Sequence, residues 1–192
     1  MRWVVAAIIV VIPIYTVLTL RYRKPGTAFQ PYQEMHDRAV VLRLLSGGYR
    51  RISVEARRPA DAAPPASGER GYAVPGGVPR ELKESLIDPP ALPEDILAIS
   101  AAPAATTRAD YPIEFACSLP DNHRQLAGAN LYLKGFDIAI VSEFERLPGE
   151  LLSRTRECVV LVTVPAGALK PGAYHATLVG ERGSRTWTLQ VR

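Results

Sequence analysis

The sequence predicts a mainly β protein that is anchored to a membrane by one N-terminal helix. Residues 3–20 contain no charged side chain and are flanked by basic residues, a pattern typical of a membrane span. Residues 111–192 contain six short apolar runs separated by Pro, Gly, Asp and Asn. We expect these runs to form an antiparallel β-sandwich, because parallel strands would need helical crossovers for which the chain has no room.

The uncharged segment 3–20 is the predicted transmembrane helix, and residues 1–24 comprise this anchor with its basic flank. A helix of this length rises roughly 27 Å, close to the hydrocarbon thickness of a thin bilayer. A cleaved secretory signal is the competing interpretation, but Arg21, Arg23 and Lys24 follow directly and leave no small-residue cleavage site. We therefore expect the lipid bilayer to be a partner through residues 3–20.

Two arguments about the orientation of this anchor disagree. The basic residues after the span favour a cytoplasmic C-terminal part, whereas a β-sandwich with two cysteines is frequent outside cells. Long domains cross membranes with limited regard for charge, so we favour the second argument. The expected location is a bacterial inner membrane, crossed once, with the C-terminal domain extracytoplasmic.

Charge is distributed unevenly along the chain. Residues 1–58 carry ten basic and three acidic side chains, or +7, whereas residues 59–192 carry thirteen and sixteen, or −3. The basic part could contact anionic lipid headgroups or could be a solvated helix and strand, and both interpretations stay open. Nucleic acid is not an expected partner, because the acidic part lacks interleaved basic and aromatic residues.

Residues 25–58 are predicted to form an amphipathic helix followed by a strand. Pro31 suits a first helical position and the glycines at 47 and 48 suit a stop, which predicts a helix over 31–46. Its apolar stripe needs a partner, which could be the distal domain, the lipid interface or, as we expect, another protein. The stripe comprises Tyr32, Met35, Ala39 and Leu42, widened by the candidate docking residues Val41, Leu44 and Leu45.

Residues 49–57 alternate between apolar and polar side chains, which predicts a half-buried strand. A single strand leaves its backbone edges unpaired. It must therefore pair with the distal sheet or with a partner protein, and the sequence leaves this choice open.

Residues 59–109 are predicted to be a linker rich in Pro and Ala. Nine prolines in this stretch interrupt any long element. Two islands, at 79–87 and 92–99, could each form a short helix. The islands are too apolar for a simple spacer, so their residues Leu92 and Leu97 are further candidates for docking to a partner protein.

Residues 110–192 are the predicted folding domain. About eighty residues suffice for a small sandwich core, and the strand that begins at Tyr49 could be added to it. The predicted strands lie at 113–119, 130–133, 138–143, 157–164, 173–179 and 186–191.

One stretch of this domain, residues 162–179, carries a more specific pattern. It holds a strand, an apolar corner at Leu169, and then Pro171-Gly172-Ala173-Tyr174 at the opening of the next strand. In this order it resembles the closing strands of bacterial immunoglobulin-like and fibronectin-like modules. The resemblance implies an Ig-like sandwich over roughly the last 80 residues, with Tyr174 as a tyrosine corner, but no particular function.

Both cysteines fall at inward-facing positions of predicted strands. Cys117 shares a face with Ile113, Phe115 and Leu119, and Cys158 shares one with three valines. If the two strands are neighbours, a disulfide could form and stabilise the fold by about 3 to 4 kcal/mol. Two buried free thiols are the alternative.

The sequence contains no motif for catalysis, cofactor binding or metal binding. It lacks a nucleophile elbow, a phosphate-binding glycine loop, a His-Glu-x-x-His helix and a Cys-x-x-Cys pair. The three histidines lie in different predicted elements, and Asp121, Asn122 and His123 have the composition of a turn. We therefore expect no enzyme activity, no catalytic residue, no cofactor and no metal.

These features together predict a non-catalytic accessory or scaffold protein, whose single-pass anchor presents a small sandwich to another membrane or envelope protein. The alternative is a periplasmic module that handles a metal or carbohydrate ligand, or an assembly factor for a membrane complex. The apolar residues of the two islands and of the face formed by Val41, Leu44 and Leu45 favour the first hypothesis. A cluster of His, Met, Cys or aromatic side chains would favour the second.

Overall fold

A computed structural model describes residues 2–3, 11–17, 21, 31–59, 71–149 and 151–192. The chain divides into two compact units, Met1–Arg38 and Ala39–Arg192. All of the described strands belong to the second unit.

The described residues from 31 onwards form two helices and ten strands, so the chain is mainly β. In chain order these elements are α1 (Pro31–Ser46), β1 (Arg50–Arg57), β2 (Tyr72–Pro75), α2 (Arg80–Ser85), β3 (Asp95–Ala101), β4 (Ala104–Ala105), β5 (Tyr111–Ser118), β6 (Arg124–Lys134), β7 (Asp137–Arg146), β8 (Glu157–Val164), β9 (Gly172–Val179) and β10 (Gly183–Val191).

Eight of these strands form a closed barrel. Hydrogen-bonded neighbours follow the order β10-β3-β5-β8-β1-β6-β7-β9, and β9 pairs again with β10. Most pairs are antiparallel, but β7 runs parallel to β9, and β10 runs parallel to β3 and β4. The predicted antiparallel Ig-like sandwich is therefore wrong, because the strands form one sheet that closes on itself instead of two sheets packed face to face.

Strand β1 fills a place in the barrel from far away in the sequence. Its residues 50–54 pair with β6, and its residues 55–57 pair with β8. This pairing answers the question that the sequence left open, since the strand joins the distal sheet. All six strands predicted within 110–192 are present, but without β1 the edges of β6 and β8 would face each other unpaired.

Part of the predicted linker also belongs to the sheet. Strand β3 lies beside β5 where the sequence predicts a helix at 92–99, whereas the island at 79–87 does form the short helix α2. Ile96 and Ile99 are both buried although they are three residues apart, because a bulge between Ile96 and Ala98 shifts the alternation by one residue. The bulge thus gives the buried residues a spacing that is also typical of a helix. This spacing explains why the sequence predicts a helix at 92–99.

The junction between β10 and β3 has the fewest paired residues of any junction in the barrel. Only Gly183 and Asp95 are paired there as strand residues. The guanidinium of Arg185 bridges the rest of the gap by donating to the carbonyl oxygens of Ile96 and Leu97, at 3.2 and 3.0 Å. A side chain thus replaces missing backbone hydrogen bonds at this closure.

Apolar side chains fill the barrel interior. Ile113, Phe115, Cys117 and Leu119 are all fully buried, as the alternation in the sequence predicts, and Cys158 faces the same cluster from β8. An eight-stranded barrel has an interior just wide enough for side chains. The described residues therefore pack the interior as a core.

One polar contact lies within this core. The indole N–H of Trp187 donates to the hydroxyl oxygen of Tyr111 at 3.3 Å, and that hydroxyl donates to the carbonyl oxygen of Ala102 at 2.6 Å. Burial raises the pKa of Tyr111, and the hydrogen bond from Trp187 partly opposes this shift. The phenol is thus held in its neutral form, in which it can donate.

A second apolar cluster covers the outer surface of the barrel, where α1 and α2 pack. Leu44 of α1 is 2 % exposed, whereas Val41 and Leu45 are 52 % and 59 % exposed. The helix therefore packs through Val40 and Leu44 and not through the whole predicted stripe. The outer cluster comprises Leu44, Tyr49, Leu82, Leu92, Tyr132, Ala139, Val141 and Val179.

The structure does not support the predicted membrane anchor. Among the described residues, no helix has the length and the apolar character needed to cross a membrane. Of the predicted span 3–20, the structure describes only Trp3 and residues 11–17, and the rest lies outside the described residues. This finding contradicts the predicted inner-membrane location and the predicted membrane-anchored scaffold. The lipid contact expected through residues 3–20 stays a prediction.

Candidate binding cleft

The structure separates the residues that the sequence proposed for docking. Leu44 and Leu92 are buried in the outer cluster and are therefore unavailable to a partner. Val41 and Leu45 are exposed on α1, and Leu97 is exposed at the bulge of β3. The expectation of a protein partner stays a prediction.

An apolar cleft of about 710 Å³ lies beside α2. Its charged lining residues are Lys83, Arg124 and Glu181, and the remainder comes mainly from the segment between β2 and β3. Small-molecule pockets usually measure about 300 to 1,000 Å³, so the cleft can hold an organic ligand. The apolar lining residues are Val78, Leu86, Ile87, Pro89, Pro90, Ala91 and Leu92.

Two glycines hold the beginning of the lining segment against the turn between β9 and β10. The N–H groups of Gly76 and Gly77 donate to the carbonyl oxygens of Arg182 and Gly180, at 2.8 and 2.7 Å. A Cβ atom at Gly76 would overlap the backbone of Glu181 and Arg182. The chain can approach the turn this closely only because residue 76 has no side chain.

The middle and the end of the lining segment are held as well. Leu82 of α2 is fully buried in the outer cluster. Further along, the carbonyl oxygen of Ala91 accepts the N–H of Phe144 at 2.9 Å, and that of Pro93 accepts the N–H of Glu181 at 2.8 Å. These contacts therefore hold the lining segment in place along its length.

A smaller and more polar cleft of about 350 Å³ adjoins the apolar cleft, since Ala91 and Arg124 line both. Its other lining residues are Asp121, His123, Phe144 and Arg146. Together the two clefts offer an apolar surface that ends at a group of charged and polar side chains.

Asp121 contacts two other residues that line the polar cleft. Its Oδ1 accepts the backbone N–H of His123 at 2.8 Å, and its Oδ2 lies 3.4 Å from Nε of Arg124. The hydrogen bond from His123 lowers the pKa of Asp121, and Arg124 adds to this effect. Arg146 forms no ion pair with another described residue, so its charge is available to a ligand.

Two buried polar atoms in the turn before β6 have no hydrogen-bond partner in the described part of the chain. They are Nδ1 of His123 and Oδ1 of the adjacent Asn122. An unpaired buried polar atom costs about 1 to 3 kcal/mol, and most such atoms in folded proteins are paired with protein, water or ligand. Only His123 of these two residues lines the polar cleft, so its Nδ1 is a candidate partner for a polar group there.

The sequence did not reveal this site, because four separate stretches of chain build it. They are 77–92, 121–124, 144–146 and residue 181. No fixed spacing connects them, and the described residues contain no group of three side chains that could hold a metal ion. The one available signal was the apolar character of the island at 79–87, which by itself predicts only that the island packs against something.

The other residues that the sequence singled out lie away from the two clefts. Cys117 and Cys158 are both free thiols and stand opposite each other on β5 and β8. The hydroxyl of Tyr174 donates to the carbonyl oxygen of Lys170 at 2.9 Å and so ties the turn before β9. The tyrosine-corner role stays a prediction, since the sandwich on which it was based does not form.

No protein-family model matches this chain, and comparisons with curated proteins and with solved structures also return no match. The function must therefore be inferred from the clefts themselves.

Proposed function

We propose that this chain is a non-catalytic binding module whose clefts hold a ligand with an apolar body and one negatively charged end. The observation that carries the proposal is the continuity of the apolar cleft with the polar cleft, which meet at Ala91 and Arg124.

The apolar body of the ligand would lie against Val78, Leu86 and Ile87. These side chains are only half-buried in the free protein, so a ligand would remove further apolar surface from water. Each Å² removed contributes about 25 cal/mol. Since backbone hydrogen bonds already hold the cleft in shape, little of this gain is lost in ordering the protein.

The charged end of the ligand would lie between Arg124 and Arg146. Guanidinium groups suit carboxylate and phosphate oxygens, and Nδ1 of His123 adds an unpaired polar atom. The two clefts together contain three cations (Lys83, Arg124, Arg146) and two carboxylates (Asp121, Glu181), a formal charge of three minus two, or +1. This balance favours a ligand with a single negative charge.

The composition of the clefts supports binding without catalysis. Neither lining contains a Ser, Thr or Cys that could act as a nucleophile. His123 and Asp121 are neighbours there, but no group that they could activate accompanies them. The residues of the site can therefore hold an anion but have no evident means of forming a covalent bond with it.

Two dyes with nearly the same aromatic body test the proposal. Anilinonaphthalene sulfonate carries a negative charge, N-phenyl-1-naphthylamine carries none, and both become fluorescent when they leave water. We expect saturable binding of both dyes to the folded full chain. Arg124→Gln and Arg146→Gln should weaken only the charged dye, by about 2- to 10-fold, because a partly exposed charge contributes about 0.5 to 1.4 kcal/mol.

Two further variants complete this test. Ile87→Asp should weaken both dyes, because it places a charge in the apolar cleft. Arg192→Gln, which changes an exposed arginine outside both clefts, is the matched control and should change neither affinity. Equal losses for the control and the cleft variants, or dye binding only by unfolded protein in a urea titration, would contradict the proposal.

A further inference from the structure

Cys117 and Cys158 form a pair that the proposed ligand site does not use. They are directly opposite residues in the register of β5 and β8, and their Sγ atoms lie 3.4 Å apart. Cys117 is the penultimate residue of β5 and Cys158 the second of β8, so the pair lies at one end of the two strands.

This placement is compatible with a disulfide. Directly opposite residues of antiparallel strands have Cα atoms about 4.5 to 5.5 Å apart, and disulfides span Cα distances of about 4.4 to 6.8 Å. Neither strand has to slide along the other for the bond to form. The barrel thus holds two thiols together that lie far apart in the unfolded chain.

The two thiols differ in exposure and in the direction of their pKa shifts. Their mutual hydrogen bond lowers the pKa of Cys158 and raises that of Cys117. Burial opposes the shift of Cys158, while the positive charge of Arg58 supports it. Cys158 is also 6 % exposed, whereas Cys117 is fully buried. Thiolates are the reactive form, so the exposure and the pKa shift both favour Cys158 as the nucleophile.

We propose that Cys117 and Cys158 are a reversible thiol–disulfide site, with Cys158 as the attacking thiol and small-molecule disulfides as its oxidants. The thiolate of Cys158 attacks one sulfur of the small disulfide, forms a mixed disulfide and expels one thiolate. The deprotonated sulfur of Cys117 then attacks the sulfur of Cys158, closes the protein disulfide and expels the second thiolate. The protein loses two electrons and two protons, and the small disulfide gains them and leaves as two thiols.

The bond would join β5 to β8 covalently in the barrel wall. Strand β3 is paired on the other side of Cys117, where Ile96 is its partner. Because the fold already holds the sulfurs in contact, closing the bond restricts the unfolded chain far more than the folded chain. The disulfide should therefore stabilise the folded state, and folding should make the disulfide easier to form.

The full chain can be tested in buffers of reduced and oxidised glutathione. After equilibration, free thiols are alkylated and the products weighed. The disulfide form should take up no alkyl group and should be about 2 Da lighter than the untreated dithiol, whereas the dithiol should gain two alkyl groups. Digestion of the disulfide form should yield one peptide pair that joins residues 117 and 158. The folded chain should form the bond at a ratio of oxidised to reduced glutathione at least about 100-fold lower than the urea-unfolded chain does.

Single-cysteine variants test the order of attack. In Cys117→Ala, oxidised glutathione should form an adduct on Cys158. In Cys158→Ala, the adduct on Cys117 should form at least about 10-fold more slowly. Faster reaction of Cys117 would overturn the assigned order. Full alkylation of both thiols in the folded wild-type chain, a bond between two chains, or equal behaviour in urea would overturn the site itself, even if neither variant folds.

Discussion

At the scale of single residues, two neighbouring leucines of α1 differ sharply. Leu44 lies in the outer cluster, while Leu45 is mostly exposed. The sequence treats them alike, since both belong to the predicted apolar stripe. A helix turns by about 100° per residue, so adjacent side chains face different directions and only packing shows which one meets the barrel.

These two leucines form a matched pair for mutation. Leu44→Ala should lower the free energy of unfolding by about 2 to 5 kcal/mol, because it removes packed methyl groups and leaves a cavity. Leu45→Ala should change it by less than about 0.5 kcal/mol. Urea denaturation followed by circular dichroism measures both values. Similar losses for the two variants would show that α1 does not pack as described.

Tyr111 should make the fold sensitive to alkaline pH. In the unfolded chain a tyrosine ionises near its ordinary pKa of 10.0, but burial raises the pKa of Tyr111 in the folded chain. Above about pH 10 the unfolded state therefore binds fewer protons than the folded state, and the free energy of unfolding falls as pH rises. Below that pH, this contribution is fully present.

Urea titrations between about pH 8 and 11 check this expectation, with Tyr111→Phe for comparison. The variant should lose about 1 to 3 kcal/mol at neutral pH, because Trp187 and Ala102 lose their hydrogen-bond partner. Its decline above pH 10 should be shallower but still present, since burial also raises the pKa of Tyr49 and Tyr132. An unchanged slope would assign the decline to other groups.

At the level of secondary-structure elements, the segment between β2 and β3 forms most of the proposed binding site. It crosses the outer surface of the barrel, carries α2 and lines the apolar cleft. The close approach of Gly76 to the turn between β9 and β10 fixes where it starts. The shape of the cleft therefore depends on a contact between elements that lie about a hundred residues apart.

Gly76→Ala tests this dependence. The added methyl group would overlap the backbone of Glu181 and Arg182, so we expect a loss of about 1 to 3 kcal/mol in stability and weaker binding of both dyes. Gly128→Ala is the control, because a Cβ atom there meets nothing within 4 Å. If Gly76→Ala keeps full dye affinity, the turn does not shape the cleft.

At the scale of the whole molecule, closing the barrel requires strands from outside the predicted distal domain. Strand β1 separates β6 from β8, and β3 separates β5 from β10. A chain limited to 110–192 would lack both of them. It would expose unpaired strand edges and open the apolar core to water.

Residues 110–192 alone should therefore not fold. We expect no cooperative urea transition for this fragment, whereas a chain of residues 31–192, which keeps α1 and all ten described strands, should unfold cooperatively. Circular dichroism and amide chemical-shift dispersion would measure the difference. A sharp transition for the short fragment would show that β1 and β3 are dispensable.

The strands of 110–192 and the inward orientation of Cys117 and Cys158 could be predicted from the sequence, because both follow from the local alternation of side chains along a strand. The helix predicted at 92–99 was wrong, because a bulge interrupts that alternation in β3. Three features could not be predicted in this way: the sheet closes, β1 lies between β6 and β8, and Arg124 meets the segment 77–92 at a cleft. Those outcomes depend on pairings between residues far apart in the chain, and no local pattern encodes which strands become neighbours.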